Sequence, residues 1–472
     1  MINKKEYDRK IIIIIALATL FFYYPIIYGG GFYADDVYRV NVIRKGFDWH
    51  YLGRHLATTI AQLYSNSREL IVDVSPLAWF ISVSLLAASA KLIYGKLKGP
   101  FKRYALPLAL VFLINPFFIE NLLYRYDNLG MMMGLFLSVL AFSLPEDKRN
   151  FFIKTLLLLL ALNFYQTFSN LYIALVGVLI ILKAYCGYST KDIIRYLLYS
   201  FAVLVTCYVI YQIELYLTRV PTRAEFVPIE LESFYLVLQN YGLALSRFTY
   251  FWSYYPRYLY LFIPVILYSL VTSGLNIKQY LFLIFGLFII LFSSLGFTAL
   301  LKEPELSPRV LHYFSPLLMV FTIIFIKRRD CYKWIMLLPV ALCLVFSYRI
   351  GNMQKIQAAF EKPIAYNAVL DMAAVAGVKS FYSIGHIPYS NFIKNIRNET
   401  PFHGFMNRSS WVTAGNLNEY APDGLLNFEW STDYQKSRNR FYENKASMQT
   451  VVKREPFYTI YKNGDEGWLV WE

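Results

Sequence analysis

Apolar runs long enough to cross a bilayer recur in this chain as far as residue 350, and a polypeptide built that way has very few folds open to it. The first runs from Ile11 to Tyr28, and further spans are expected near residues 70–94, 105–119, 129–144, 196–217, 258–275, 280–300, 313–326 and 334–350. Lipid offers the backbone no hydrogen-bond partners, so each run must close its own bonds as a helix. Composition points the same way: 57% of residues are hydrophobic, 16% are charged and the mean hydropathy is +0.40, too apolar for a soluble protein. The net charge of +15 fits Lys and Arg concentrated in cytoplasmic loops rather than a nucleic-acid partner.

Charge also orders the spans. The N-terminus carries Lys4, Lys5, Arg9 and Lys10 ahead of a run with no small-residue cleavage site, which reads as an uncleaved anchor with a cytoplasmic N-terminus. The loops 95–104, 145–154 and 327–333 are basic and belong on the same inner side. Residues 155–183 are interrupted by Asn163-Phe164-Tyr165-Gln166-Thr167. A single tilted helix there would invert every later loop, whereas a hairpin of two short helices keeps Lys183, Lys191 and Arg195 inside. The hairpin gives about eleven membrane segments. It leaves residues 29–69, 120–128, 218–257 and 301–312 on the outer face, together with everything after about Arg349.

Two of these outer segments contain amphipathic stretches expected to lie in the interface. One presents Leu52, Leu56, Ile60 and Leu63 opposite Arg54, Thr58 and Gln62, with Asp48 as its cap; the other presents Phe234, Leu238, Tyr241, Leu245 and Phe248. From residue 351 the composition turns polar. The division expected is a membrane domain over 1–350 and a small α/β extracytoplasmic domain over 351–472. The tail opens with a helical pattern through about Ala376, continues with a strand at 378–384, and closes on a hairpin at Asn463-Gly464.

No phosphate-binding glycine loop, paired CxxC or HExxH motif occurs in a supporting context, so soluble-cofactor and zinc chemistry are not indicated. His50 and His55 are the closest histidines, and a spacing of five suits one helical face poorly. The outer segments are rich in Arg, including Arg39, Arg54, Arg125 and Arg309, while the inner loops favour Lys. Guanidinium binds phosphate bidentately, so this bias suits a lipid phosphate, or else anchoring to anionic headgroups. Three acidic groups compete for chemistry: Asp35 and Asp36 just past the first span, Asp127 with Glu120 in the short loop 120–128, and Glu303 with Glu305 beside Arg309. For the Asp35-Asp36 pair the alternative is a turn and helix cap.

Taken together, the segments Phe32-Tyr33-Ala34-Asp35-Asp36-Val37-Tyr38-Arg39, Tyr124-Arg125-Tyr126-Asp127-Asn128 and Asn163-Phe164-Tyr165-Gln166 resemble those of GT-C glycosyltransferases. They are most similar to the serotype-converting O-antigen glucosyltransferases of temperate phages and bacterial islands. The resemblance implies a multi-pass protein of the bacterial inner membrane with its C-terminal domain in the periplasm. It implies transfer of a sugar, most plausibly glucose, from a polyprenyl (undecaprenyl) phosphate to an O-antigen lipopolysaccharide glycan. Such an enzyme depends on a donor synthase and a donor flippase.

Carried onto this chain, Asp35 or Asp36 would be the catalytic base, with Asp36 favoured as the one nearer Arg39. A base beside an arginine should stay ionised at neutral pH. Arg39, Arg125 and Arg309 would bind the donor phosphate, and Tyr33, Asp127, Tyr165, Gln166 and His312 would contact substrate. No cofactor is required; a divalent metal is compatible with so many carboxylates but is not predicted. The competing readings are the same fold with another lipid-linked donor or with lipid A or protein as acceptor, and a lipid-linked-sugar flippase. The scarcity of ionisable groups within the expected spans favours surface chemistry over transport.

Overall fold

The computed structural model describes residues 4–29, 31, 33–34, 36, 49–66, 71–220, 225–228, 230–253, 256–397, 403–406, 410–422, 424–427 and 431–472. Helix α1 (Lys4–Gly29) is followed by a 3₁₀ turn (His50–Leu52) and α2 (His55–Ser65). The bundle continues with α3 (Leu77–Leu97), α4 (Lys102–Leu113), the short α5 (Phe118–Leu123), α6 (Asn128–Ser143), α7 (Lys148–Phe164) and α8 (Phe168–Tyr185). It is completed by α9 (Thr190–Leu217), α10 (Leu231–Ser253), α11 (Pro256–Thr272), α12 (Ile277–Phe292), α13 (Phe314–Arg328) and α14 (Leu337–Ala373).

Every expected span is occupied by a helix. Five described helices are long and apolar enough to cross a membrane on length and composition: α1, α3, α8, α9 and the one ending at Ala373. Three of the boundaries that differ from the expectation have a local reason. The span placed at 70–94 begins only at Leu77, after Ser75-Pro76. That at 105–119 stops at Leu113, where Asn115 turns its side chain back to the Phe117 amide ahead of α5. That at 280–300 ends at Phe292 and passes into a 3₁₀ turn (Gly296–Leu300), opened by Gly296 at φ +57° against the Asn170 side chain.

The hairpin expected within 155–183 is present as α7 and α8, and its helices are longer than supposed because α7 starts at Lys148 under an Asp147 cap that accepts the Asn150 N–H. The helix breaks at Tyr165-Gln166-Thr167, between Phe164 and Phe168. Its consequence for the loops is visible in their contacts. Lys96 bonds Glu146 at 2.6 Å, Lys98 bonds Asp8 at 3.0 Å, Lys327 donates to the Tyr185 carbonyl and Lys278 to that of Tyr188, each at 3.1 Å. The Lys-rich loops thus gather at one end of the bundle, the end opposite the Tyr165–Thr167 tip.

Small residues let the helices approach. A side chain at Gly177 of α8 would lie 2.8 Å from the Gly286 carbonyl of α12, so these two helices touch backbone to backbone. Gly351 of α14 abuts Pro25 of α1, and Ser347 donates to the Phe22 carbonyl at 2.6 Å, which fixes where the chain leaves α1.

The two amphipathic stretches behave differently from their sequence pattern. In α2, Leu56, Ala57 and Ile60 pack against Leu137, Ala161 and Phe164, but Leu63 is 72% exposed and Thr58 is buried. The residue at the helix start is Arg54, with no side-chain cap; Asp48 lies outside the described residues. In α10 the expected stripe is split: Phe234 and Leu238 are exposed, while Tyr241 and Leu245 pack against the bundle together with Asn240, Ala244 and Phe251. Lipid sets no penalty on exposed apolar side chains, so Phe234 and Leu238 can face outward while the polar Asn240 is buried.

Helix α14 runs through the expected boundary at 350/351 without a break. Leu342, Cys343, Phe346 and Ile350 belong to the bundle core, and Ile364, Ala365, Ala368, Val369 and Met372 to the core of the tail. The tail is the expected α/β unit. Its mixed five-stranded sheet has the order β2-β1-β5-β4-β3, built from β1 (Ser380–Ile384), β2 (Leu426–Asn427), β3 (Gln449–Arg454), β4 (Tyr458–Asn463) and β5 (Glu466–Trp471). Strand β1 pairs parallel with β2 and β5, and β3, β4 and β5 run antiparallel. The hairpin turns between Asn463 and Glu466 on Gly464, at φ +62°. Helices α15 (Asn391–Arg397), α16 (Ser410–Asn418) and α17 (Ser431–Asn444) accompany the sheet.

Candidate functional site

Two buried carboxylates tie together the loops at the Tyr165–Thr167 end of the bundle. Asp36 is fully buried, and its carboxylate accepts the backbone N–H groups of Tyr33 and Arg125, each at 2.8 Å, and of Tyr126 at 3.0 Å. It therefore joins the segment that follows α1 to the loop 120–128. Burial pushes its pKa up to about 8, against the pull of the three amides, and the Asp127 charge adds to the rise. The expectation that a neighbouring arginine keeps this group ionised at neutral pH is countered by its burial; Arg125 reaches Asp36 through its backbone N–H, and Arg39, the arginine expected beside it, lies outside the described residues.

Glu120 does the same work between the second and fourth loops. It accepts the Tyr33 hydroxyl at 3.1 Å and the Arg309 N–H at 2.8 Å, while Asn121 donates to the Arg309 carbonyl at 3.2 Å. Burial raises its pKa and Arg309 moderates the effect. Tyr33 packs edge-on against Tyr124 at 5.0 Å, and the Arg309 guanidinium lies 5.2 Å from the centre of the same Tyr124 ring.

The hairpin tip is held from the other side. Gln166 donates to the Leu52 carbonyl at 2.6 Å and to the Tyr211 hydroxyl at 3.0 Å, and accepts Arg54 Nε at 2.8 Å. This leaves the Arg54 guanidinium 4.3 Å over the Tyr165 ring, stacked and oriented. Trp49 donates its indole N–H to Asp127 at 3.0 Å.

These groups line a narrow cleft, with about 20 Å³ of free room, whose walls include Trp49, Arg54, Tyr126, Asp127, Phe164, Tyr165 and Arg309. Of the residues singled out from sequence, Asp127, Tyr165 and Arg309 meet on this cleft. Tyr33, Asp36 and Gln166 form its supporting structure. Arg125 points to Asp73 at 2.5 Å instead of into the cleft. His312 is buried behind the tip, stacked on Phe168 at 4.3 Å and 3.0 Å from the Thr167 hydroxyl. Burial holds its imidazole neutral, with a pKa down to about 3. Asp35 and Arg39 lie outside the described residues.

Sequence reasoning missed Trp49 and Arg54 as cleft residues. Arg54 was visible among the outer-face arginines, but its place opposite an apolar stripe made it read as a solvated helix face. His50 and His55 also meet, Nδ1 to Nδ1 at 2.9 Å, because the chain turns on a 3₁₀ segment and Gly53 between them rather than continuing one helix. Among the described residues no three His, Cys, Asp or Glu side chains converge as a cation cage requires.

A carboxylate facing two oriented guanidinium groups, at the end of the bundle away from the Lys-rich loops, can orient a hydroxyl and receive a phosphate. A sequence model of the family described as Glucosyl transferase GtrII matches residues 24–323, more than half of the chain and every described wall of the cleft. The chain belongs to this family. It is also 33% identical over 150 residues to the "Uncharacterized 55.3 kDa protein in gtrB 5'region" of Salmonella phage P22; the alignment covers 31% of this chain and 30% of the phage protein. No solved structure matches. Membership in the GtrII family bears out the resemblance read from the motifs around Asp36, Asp127 and Gln166. The family match ends before α14 and leaves the tail outside it.

Proposed function

We propose that this protein transfers a glucosyl group from a polyprenyl-phosphate donor to an O-antigen glycan at the periplasmic face of the inner membrane. The observation that carries the proposal is the convergence of Asp127, Arg54 and Arg309 on one cleft within the region matched by the GtrII family. Arg54 and Arg309 receive the donor phosphate, which leaves as the glycosidic bond to it breaks and gains charge in doing so. Fixed guanidinium charges stabilise that charge more in the transition state than in the bound donor.

The two aspartates of the first loop divide the remaining work. Asp36 is assigned a positioning role, because both its oxygens are occupied by backbone amides and none of its surface is open. The base role falls to Asp35, and Asp127 orients the acceptor or sugar hydroxyl. The N-terminus and the Lys-rich loops are cytoplasmic under this proposal, with the cleft and the tail in the periplasm. Donor supply then requires a synthase and a flippase acting beforehand.

The test is reconstitution of the full-length protein in vesicles with undecaprenyl-phosphate glucose and O-antigen lipid. Incorporation of glucose into the glycan is expected with the lipid donor and not with a nucleotide sugar, and Asp35→Asn should abolish it. Transfer from the nucleotide sugar alone would overturn the donor assignment. A tag near Ser189 labelled only from the cytoplasmic side supports the orientation; labelling from the periplasm removes it.

A further inference from the structure

A second and larger cavity lies at the opposite end of the bundle. It is a groove of roughly 660 Å³, partly open to solvent, between the start of α7, the end of α8 and the start of α9. Its walls carry acids and bases in equal number, but the two sets are not equivalent. Glu146 is engaged by Lys96 at 2.6 Å, Asp147 caps α7 through Asn150, and Asp192 is bonded to Ser189 at the start of α9. The cations Lys148, Lys183 and Arg195 make no ion pair among the described residues. Lys183 sits between two aromatic faces instead, 5.2 Å from the centre of the Tyr188 ring and 4.8 Å from that of Tyr196. Hydrogen bonds to the neutral Asn150 and Ser189 leave Asp147 and Asp192 charged, so with Glu146 paired to Lys96 the lining keeps three cations against two carboxylates, a net charge of +1.

The flanks are apolar and bare. On α7, Phe152 lines the groove and is 74% exposed, and Leu156, one turn further along, is 55% exposed. On α9 the helical row that begins at Arg195 continues through Leu198 and Val205, which are also exposed. An occupant must accordingly be anionic at one end and apolar along its length, at the level where basic loops meet the membrane.

We propose that this groove binds the phosphate headgroup of an anionic phospholipid, held by Lys148, Lys183 and Arg195, with its acyl chains along Phe152, Leu156 and Leu198. The site is distinct from the cleft and independent of the transfer reaction.

Native mass spectrometry of the full-length protein released from detergent tests it directly, with phosphatidylglycerol and phosphatidylethanolamine titrated in parallel. Retention of phosphatidylglycerol over phosphatidylethanolamine is expected, weakened about fivefold for each cation removed. The double variant K148Q/R195Q changes two exposed side chains and leaves the helix contacts intact; K183Q then tests the half-buried lysine. Equal retention of both lipids, or undiminished phosphatidylglycerol binding in K148Q/R195Q, overturns the proposal. So does displacement of phosphatidylglycerol by an equimolar amount of undecaprenyl phosphate, which would make the groove a polyprenyl-phosphate site.

Discussion

Replacing Asp36 by Asn separates a clamp from a base. The carboxylate offers one oxygen to the Tyr33 and Arg125 amides and the other to that of Tyr126. An amide oxygen can serve only the first pair, so the new NH2 group faces the Tyr126 N–H and leaves a buried donor unpaired, at a cost of about 1–3 kcal/mol. A pH signature accompanies this cost. The folded-state pKa of about 8 lies above the ordinary 3.8, so the native state holds this proton more tightly than the unfolded chain. The stabilisation from that proton is complete below about pH 4 and is lost as the pH rises to about 8.

Thermal unfolding of the purified protein from pH 5 to pH 9 should therefore show a falling midpoint in the wild type and a flatter profile in Asp36→Asn. At about pH 5 the variant should lie a few degrees below the wild type, as follows from about 1–3 kcal/mol in a chain of this size. Transfer at its permissive temperature should fall only in proportion to the loosened loop. Loss of transfer with an unchanged midpoint and an unchanged pH profile would refute the reasoning and make Asp36 part of the chemistry.

Arg54→Lys and Arg309→Lys keep the charge but lose the planar fork; each should raise the KM for the lipid donor about tenfold, read from donor titrations. Arg125→Lys should leave that KM unchanged, because Arg125 is directed to Asp73. Gln166→Ala removes the bond that aims Arg54 and the links to Leu52 and Tyr211, so donor KM should rise as in Arg54→Lys. Gly177→Leu forces α8 from α12, where even an added Cβ would lie 2.8 Å from a backbone oxygen, and should cost about 1–3 kcal/mol or more in thermal stability with donor KM unchanged.

What could be read in the sequence was set by short-range chemistry. The polar interruption at Asn163–Thr167 foretold the break between α7 and α8, and Asn463-Gly464 foretold the last hairpin, because each acts on its own backbone. The side on which a residue is buried was harder to read. Phe234, Leu238, Tyr241 and Leu245 follow one helical stripe, yet only Tyr241 and Leu245 pack on the bundle, beside Asn240 and Ala244, since lipid removes the penalty for exposing the other two. Asp36 and Arg125 stand out as charged residues, but whether each faces the cleft depends on loops distant in sequence. Arg54 reaches the cleft through a hydrogen bond to a residue 112 positions away, a distance no local pattern encodes.

Helix α14 has 37 residues and is about 55 Å long at 1.5 Å per residue, against a hydrocarbon thickness of about 30 Å. Its first half is core to the bundle and its second half is core to the tail, so the two units share one continuous helix instead of a linker. The tail therefore has no hinge at residue 350, and the point where the helix loses a backbone bond is Pro363, between the two cores. Cutting the chain at residue 350 would not release two independent pieces. It would leave an open, apolar helix end on one fragment and strip the other of the strut around which its sheet is assembled.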